Sequence, residues 1–419
     1  MRTVMSGMRE ALSSPARSPR MATVLGRLLG LAFVVCFLTG LFSHFLQQPE
    51  SWMRFPTSPA GLYAVTQGIH ITAGIACFPL LLGKLWTVFP NLFQTPPVRS
   101  FLHLLERASI ALFVGASLLE ITIGLLNTYQ WVPFPFFFKQ THFALAFVVI
   151  GSLVIHIAVQ LPVIAEHWRK RGPDGKPLYG ELEAYRATDG KDGDAVDTDV
   201  LPGGVTGRLM AYIDSAPRPE PSVSRRGFLA TIAASTVALV VLTAGQSFAL
   251  LDPFNLFGPR KRGVGPQGLP VNRTAEDAGV LSSAVAEDWV LTVRNGDTVR
   301  EFSRADLAAL PQVDVELPIA CVEGWSQLAR WRGVRMRDLA DAVNAPAGSA
   351  FLLRSLEERG SFRINRMGPE YVRDERTVVA LELNGETLHL EHGYPARMIA
   401  PARPGVTQTK WLSSLEVTV

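Results

Sequence analysis

Cysteine and charge are what this 419-residue sequence has least of. Its three cysteines, Cys36, Cys77 and Cys321, are too few for a disulfide framework, a four-cysteine zinc site or a thiolate-held iron–sulfur cluster. Asp, Glu, Lys and Arg make up 18% of the chain, against roughly 25% in a soluble globular protein. A formal net charge of +3 gives no reason to expect a nucleic-acid partner. The shortage of charge is uneven. Residues 28–165 are mostly apolar, whereas 166–226 and the chain after 258 carry normal or high charge. Such a chain is neither one soluble globule nor wholly a membrane protein.

What is present in the poor region is long apolar runs. A membrane span needs about 20 mostly apolar residues, and five stretches qualify: Leu28–Leu46, Leu62–Gly83, Ala108–Leu126, roughly Gln140–Ala165, and Gly227–Leu251. Lys and Arg mark the cytoplasmic side. Arg2, Arg9, Arg17, Arg20 and Arg27 precede the first run, Lys84, Arg99 and Arg107 separate the second from the third, and Arg169, Lys170, Arg171 and Lys176 follow the fourth. The other short loops hold Arg54 and Lys139. The N-terminus is therefore expected in the cytoplasm, and five spans place the C-terminal region outside. Trp52, Trp131 and Phe134–Phe138 suit an outer aromatic belt.

Residues 169–223, with the run DGKDGDAVDTDV, lack an apolar period and read as a flexible cytoplasmic linker. Directly after them, Ser224-Arg225-Arg226-Gly227-Phe228-Leu229 resembles the twin-arginine export motif, with Ala230 where that motif has Lys. The resemblance implies the twin-arginine translocation machinery as a partner. That route carries folded proteins, so it implies a cofactor loaded inside before export. No small-x-small cleavage site is evident, and the fifth run is expected to remain as an anchor.

The apolar region holds His44, His70, His103, His142 and His156. Ionisable residues inside a membrane count by default as functional candidates. Fourteen residues separate His142 from His156, which puts both on one helix face about 21 Å apart. That spacing suits two stacked haems, each taking one imidazole from the same helix. His142 and His70 are expected to share an outer haem, and His156 and His103 an inner one. His44 is an alternative to His70 or lines a quinone site. Gly68 and Gly74 flank His70 and offer a porphyrin close approach. Glu120, in the third run, is a candidate proton carrier. The absence of Cys-x-x-Cys-His excludes covalent c-type attachment. Residues 24–168 resemble the di-haem membrane cytochrome b subunits serving formate dehydrogenases and hydrogenases. There the first-span histidine serves the inner haem, whereas His44 lies at the outer end.

From Trp289 the pattern changes to short strands. WVLTV alternates before the turn Asn295-Gly296, FSRADLAALP reads as a helix capped by Ser303, VDVELPIA as a strand into Cys321, and VRMRDLADAV as an amphipathic helix. FLLRSLE, SFRINR, TVVALEL before Asn384-Gly385, and TKWLSSLEVTV complete an α+β domain. Two segments in it are distinctive. ACVEGWSQLARWRGVRMRDLA and LNGETLHLEHGYPARMIAPARPGVTQTKWL resemble, in order, the signatures of the sulfite oxidase family, in the branch of the bacterial periplasmic sulfoxide reductases. The resemblance spans about 270–419. It implies that Cys321 ligates molybdenum beside the dithiolene of one pterin, and that His392, Arg397, Gln408 and Lys410 bind the cofactor. Asn272, in VNRTA, matches an early pterin contact. Arg354, Arg359, Arg363 and Arg366 are either an anion site or a solvated strand face.

The expected fold class is multidomain. A cytoplasmic tail (1–23) leads into an all-α transmembrane four-helix haem bundle (24–168). The linker (169–223), a further transmembrane helix (224–251) and a connector (252–288) come next, and then an α+β molybdopterin domain of sulfite-oxidase type (289–419). The expected cofactors are the molybdenum cofactor and haem b, two of the latter. The expected partners are the lipid bilayer, a quinone or quinol, and a small oxyanion or S- or N-oxide substrate. Together they imply a membrane-bound oxidoreductase, with reduction of an oxide as the favoured direction. Sulfite-type oxidation feeding quinone, and a non-catalytic electron-transfer or binding module, are the alternatives.

Overall fold

The computed structural model describes residues 17–93, 98, 100–131, 133–168 and 224–418. The tail up to residue 16, the linker at 169–223 and the side chain of His167 lie outside the described residues. Five helices are long and apolar enough to cross a membrane. They are α1 (Pro19–Gln47), α2 (Leu62–Val88), α3 (Phe101–Thr128), α4 (Phe138–Trp168) and α5 (Arg225–Thr243). Leu31, Leu38, Leu112, Val154 and Val237 stand exposed along them. A helix that is apolar all round needs an apolar surrounding.

α5 ends at Thr243 rather than continuing to Leu251. A Cβ at Gly245 would lie 2.6 Å from the carbonyl oxygen of Leu251, so the chain folds back tightly here. Two 3-10 turns follow, Ala244–Gln246 and Ala249–Phe254, and the amides of Leu256 and Phe257 return to the carbonyl of Leu242. Apolar content alone does not distinguish that return from more helix. At the start of α5, the Ser224 hydroxyl accepts the Gly227 amide at 3.0 Å, so the serine of the two-arginine motif caps the helix.

The chain divides into two compact units, and the long helices contribute to both. One comprises the chain to Phe33, Ala76–Ile121 and Ala144–Val237. Within it Phe33 meets Phe113 edge-on at 6.1 Å, Trp86 stacks on Phe228 at 4.5 Å, Lys84 donates to the Ala22 carbonyl at 2.6 Å, and Gln160 donates to Glu106 at 2.9 Å.

The other unit comprises Val34–Ile75, Thr122–Phe143 and Ala238–Val419. Its C-terminal part holds two sheets. The first has the order β2-β1-β10-β5-β6, from Thr298–Ser303, Val290–Asn295, Leu412–Thr418, Ala350–Ser355 and Ile364–Met367. The second runs β3-β4-β7-β8, from Gln312–Ala320, Ser326–Arg335, Val378–Leu383 and Glu386–Thr387, with β9 (Arg397–Ile399) on β7. The pairing of β1 with β10 is parallel and the other strand pairs are antiparallel. Short helices join them: α6 (Ala275–Ala278), α7 (Arg304–Ala309), α8 (Met336–Ala342) and α9 (Pro369–Val372).

Local chemistry accounts for these elements. Leu291 and Val293 alternate inward along β1 with no exposure, and Asn295-Gly296 turns it into β2. Ser303 and Asp306 form a capping box at α7. β4 is the long strand that the sequence pattern conceals, because its arginines interrupt an otherwise apolar run. Ala329, Trp331 and Val334 face inward, while Arg330 and Arg332 pair with Asp314, each at 3.2 Å. The Gly- and Pro-rich segment 252–288 is more than a connector. Leu269 packs in the core of the second sheet, and Ala275, Ala278, Val280 and Ala284 enclose Trp411.

Candidate functional site

Cys321 directly follows β3, and its loop returns into β4. The Cys321 amide donates to the Trp325 carbonyl at 2.8 Å, and the Gly324 amide to the Cys321 carbonyl at 3.1 Å. Gly324 has a φ of +101°, a conformation that suits glycine. Gly405 closes the other side: a Cβ there would lie 3.0 Å from the Ala320 carbonyl oxygen and 3.7 Å from the Cys321 Cα. The thiol is 7% exposed. Burial, then the charge of Glu323, hold its pKa well above the usual range. Such a thiol becomes a ligand when a metal displaces its proton.

Asn272 organises the approach to this sulfur. Its Nδ2 donates to Cys321 Sγ at 2.6 Å, and its Oδ1 accepts from Arg260 Nε and Trp325 Nε1, both at 3.0 Å. Three cations follow in the same domain: buried Arg397 feels the charge of Cys321, half-buried Lys410 feels that of Arg397, and buried Arg403 turns toward Tyr371 and Glu370. Arg397 is 5% exposed, lies 5.4 Å over the Trp331 ring and donates one Nη to the His392 carbonyl at 3.1 Å. Its Nε has no hydrogen-bond partner, and burial pushes its pKa down to about 9, opposed by the charge of Cys321. Arg403 donates to Asn365 Oδ1 at 3.1 Å and the Arg366 carbonyl at 3.0 Å, with its second Nη unused. Lys410 donates to the carbonyls of Arg273 at 2.5 Å and Glu391 at 2.8 Å, and burial followed by Arg397 pushes it down to about 7.

His392 Nε2 lies 2.7 Å from the Pro266 carbonyl, so it is the donor there. Burial and Arg397 push this imidazole down to about 4, so it is neutral at physiological pH. Gln408 donates to the carbonyls of Ala400 and Arg403 at 3.2 Å each, leaving Oε1 unpartnered. Among the described residues, no carboxylate lies within ion-pair distance of Arg397, Arg403 or Lys410. A buried cation without a carboxylate is costly, and a bound anion removes that cost. A thiol beside one such cation, Arg397, in a domain with further unused polar atoms, fits a metal cofactor with an anionic tail.

The structure thus gathers Cys321, Asn272, His392, Arg397, Gln408 and Lys410 in one domain. Arg260, Trp325 and Arg403 join them without having been read from the sequence. The signal for Arg260 is weak, since it sits in a Pro- and Gly-rich stretch that resembles ordinary loop, whereas Arg403 lies inside the second distinctive segment. Arg354, Arg359, Arg363 and Arg366 do not form one site. Arg354 lies 3.9 Å from Glu416, Arg363 donates to the Glu358 carbonyl at 2.8 Å, and Arg359 offers its carbonyl to Arg273. Arg366 alone lines a recess, with Arg403, Glu370 and Tyr371.

The histidines divide similarly. The rings of His70 and His142 lie 6.2 Å apart, centre to centre, and nearly perpendicular at 81°. Two imidazoles bound to one metal at roughly 2 Å each have ring centres roughly 6 Å apart. His70 Nδ1 lies 2.9 Å from the Cys36 carbonyl, which makes it the protonated nitrogen and leaves the lone pair on Nε2. Gly40 on α1 and Gly124 on α3 make room: a Cβ would lie 3.0 Å from the His70 ring and 3.3 Å from the His142 ring. The expected roles of Gly68 and Gly74 are different in the structure. Phe248 fills the space beside Gly68, and Gly74 faces the Cys36 sulfur.

The expected inner pair does not assemble. The Gln160–Glu106 bond sets α3 against α4 so that His156 lies level with Ile110. His103 is seven residues further along, roughly 10 Å away. His156 instead faces Phe113 at 5.7 Å, with Lys84 and Glu106 as the nearby charges. His44 stacks on Phe143 at 3.7 Å rather than joining His70. Glu120 is half-buried on α3.

Comparison with known proteins bears on the C-terminal part: residues 278–419 match the family model of the oxidoreductase molybdopterin binding domain. Individual relatives match stretches of the chain. The chain is 31% identical over 118 residues to an uncharacterized oxidoreductase, YuiH, of Bacillus subtilis, covering 28% of this chain and 58% of the relative. It is 28% identical over 113 residues to the putative protein-methionine-sulfoxide reductase subunit YedZ1 of Azospira oryzae, covering 27% and 42%. To sulfite oxidase of Arabidopsis thaliana it is 26% identical over 205 residues, covering 40% and 51%. The chain spans about half the length of these curated relatives.

Proposed function

We propose that this chain is a membrane-bound, molybdopterin-dependent oxidoreductase that performs two-electron oxygen-atom transfer and exchanges electrons with the quinone pool through haem b. The favoured direction is reduction of an S- or N-oxide. The observation that carries this reading is the buried thiol of Cys321 beside Arg397, a buried guanidinium with no carboxylate partner, inside a domain of the molybdopterin oxidoreductase class. The resemblance of part of the chain to a putative protein-methionine-sulfoxide reductase subunit supports the oxide as substrate class.

Cys321 would hold the metal through its thiolate, and Asn272 would orient that sulfur. Arg397, Lys410 and Arg403 would neutralise the cofactor's phosphate, while neutral His392 and the free Oε1 of Gln408 would meet the pterin edge. When bound, the cofactor supplies the oxygen-atom transfer itself. The protein's part is to fix the ligand, balance charge and exclude water around a nearly buried sulfur. His70 and His142 would hold a single haem b, since their ring spacing suits two axial imidazoles on one iron. His156 and His103 do not meet, so the geometry supports one such haem rather than two.

Five apolar helices support a multi-pass membrane protein, and the Lys and Arg distribution supports a cytoplasmic N-terminus and an extracytoplasmic catalytic domain. Export would use the twin-arginine route through Arg225 and Arg226. The reverse direction, sulfite oxidation, draws no support from the four arginines at 354–366, which are dispersed. Purified full-length protein should contain molybdenum and haem b. Its haem should be reduced by a quinol and reoxidised by an added S-oxide. Protein without molybdenum, or haem that sulfite reduces and an added S-oxide leaves reduced, would refute the reading.

A further inference from the structure

Gln67, His70 and Ile71 are three and four residues apart on α2 and therefore share one face. That face meets the metal-ligand loop. Gln67 Nε2 donates to the Val322 carbonyl at 2.6 Å, one residue after Cys321. Ile71 packs on Gly324 so closely that a Cβ there would lie 2.7 Å from Ile71 Cγ1. One turn earlier, Tyr63 is buried with Leu46 and Ala320, its hydroxyl 3.1 Å from Ser43 Oγ. The segment after α5 adds a second hold: the Ser247 hydroxyl donates to the Gly324 carbonyl, and Ser326 Oγ donates to the Ser247 carbonyl at 3.0 Å. A third comes from the end of α3, where Gln130 donates to Glu323 at 2.5 Å and accepts from Arg260, which reaches Asn272 and so Cys321.

We infer that α2 is the relay between the two cofactor positions, with Gln67 and Ile71 as positioning residues that fix the Cys321–Trp325 loop against the helix face carrying His70. The inference rests on the function proposed above. A backbone carbonyl held by Gln67 and a glycine pressed on Ile71 keep the thiolate ligand and the imidazole ligand in one packed contact, with no mobile segment between them. Quinol supplies two electrons and two protons. The oxide accepts both, its oxygen leaving as water, and the electrons cross this contact one at a time.

The test is Gln67→Leu in the full-length protein, which keeps bulk and removes the donor. Haem and molybdenum contents should equal wild type. Hydrogen exchange at residues 321–326 should rise about tenfold, as when a buried carbonyl loses its donor. Reoxidation of quinol-reduced haem by dimethyl sulfoxide should slow about tenfold, while turnover with a soluble viologen donor stays within about twofold. If Gln67→Leu fails to accumulate, Gln67→Asn and Ser247→Ala answer the same question. Unchanged exchange together with unchanged haem reoxidation overturns the inference. A wild-type protein lacking haem or molybdenum overturns the functional reading instead, and unchanged loop exchange in the variants would then still overturn the positioning role.

Discussion

The histidines of the long helices and the thiol of the C-terminal domain are assembled by different means. Each histidine sits on a regular helix, so its height is fixed by sequence spacing while its partner depends on how two helices register. Cys321 sits in a loop whose side-chain partners come from four separate segments, through Gln67, Gln130, Ser247 and Asn272. Spacing therefore suggests more histidine pairs in the helices than their register supports, since His156 faces Phe113. In the domain, it undercounts the residues that build the site.

The contrast is broken most severely by Cys321→Ser. Molybdenum content and oxide turnover should fall to those of cofactor-free protein, with haem absorbance unchanged, as metal analysis and a difference spectrum on one sample would report. Loss of haem as well would mean that the two sites are not separate. Next comes His70→Met or His142→Met, either of which should abolish the bis-imidazole haem spectrum. His103→Ala and His44→Ala should preserve it, and a spectrum lost in either would restore the sequence-based pairing.

Arg397→Met tests the domain side more finely. It should reduce cofactor retention, yet stabilise cofactor-free protein by about 1–4 kcal/mol, because an uncompensated buried cation is removed. Calorimetry with and without cofactor separates these opposite signs. The smallest effect is a pH slope. Lys410 is pushed down to about 7 in the folded chain from an ordinary value of 10.5. Between these values the unfolded state binds the extra proton, so cofactor-free protein should gain stability as pH rises from about 7 to 10. Lys410→Met should flatten that part of the curve, as should cofactor loading.

These comparisons mark how far the sequence reaches. The five apolar runs, most strands, the Ser303 cap and both segments around Cys321 and His392 were legible because each depends on local chemistry. β4 was hidden by Arg330 and Arg332, whose charges are satisfied across the strand by Asp314. The end of α5 was hidden because apolar composition cannot tell a helix from a tight buried return at Gly245. Asn272 was found by its motif, but its bond to the Cys321 sulfur depends on tertiary packing across 49 residues. Sequence neighbours point to Gly68 and Gly74, whereas the glycines that meet the rings, Gly40 and Gly124, lie on neighbouring helices rather than beside the histidine in sequence.

The most direct test of the whole account is to reduce full-length protein with a quinol, record the haem b spectrum, and add dimethyl sulfoxide. Wild type should show one haem per chain, reduced by quinol and reoxidised by the oxide, with reoxidation lost in Cys321→Ser. Haem that is reoxidised equally well in Cys321→Ser would contradict it, because the electrons would then be leaving by a path that does not pass the thiolate.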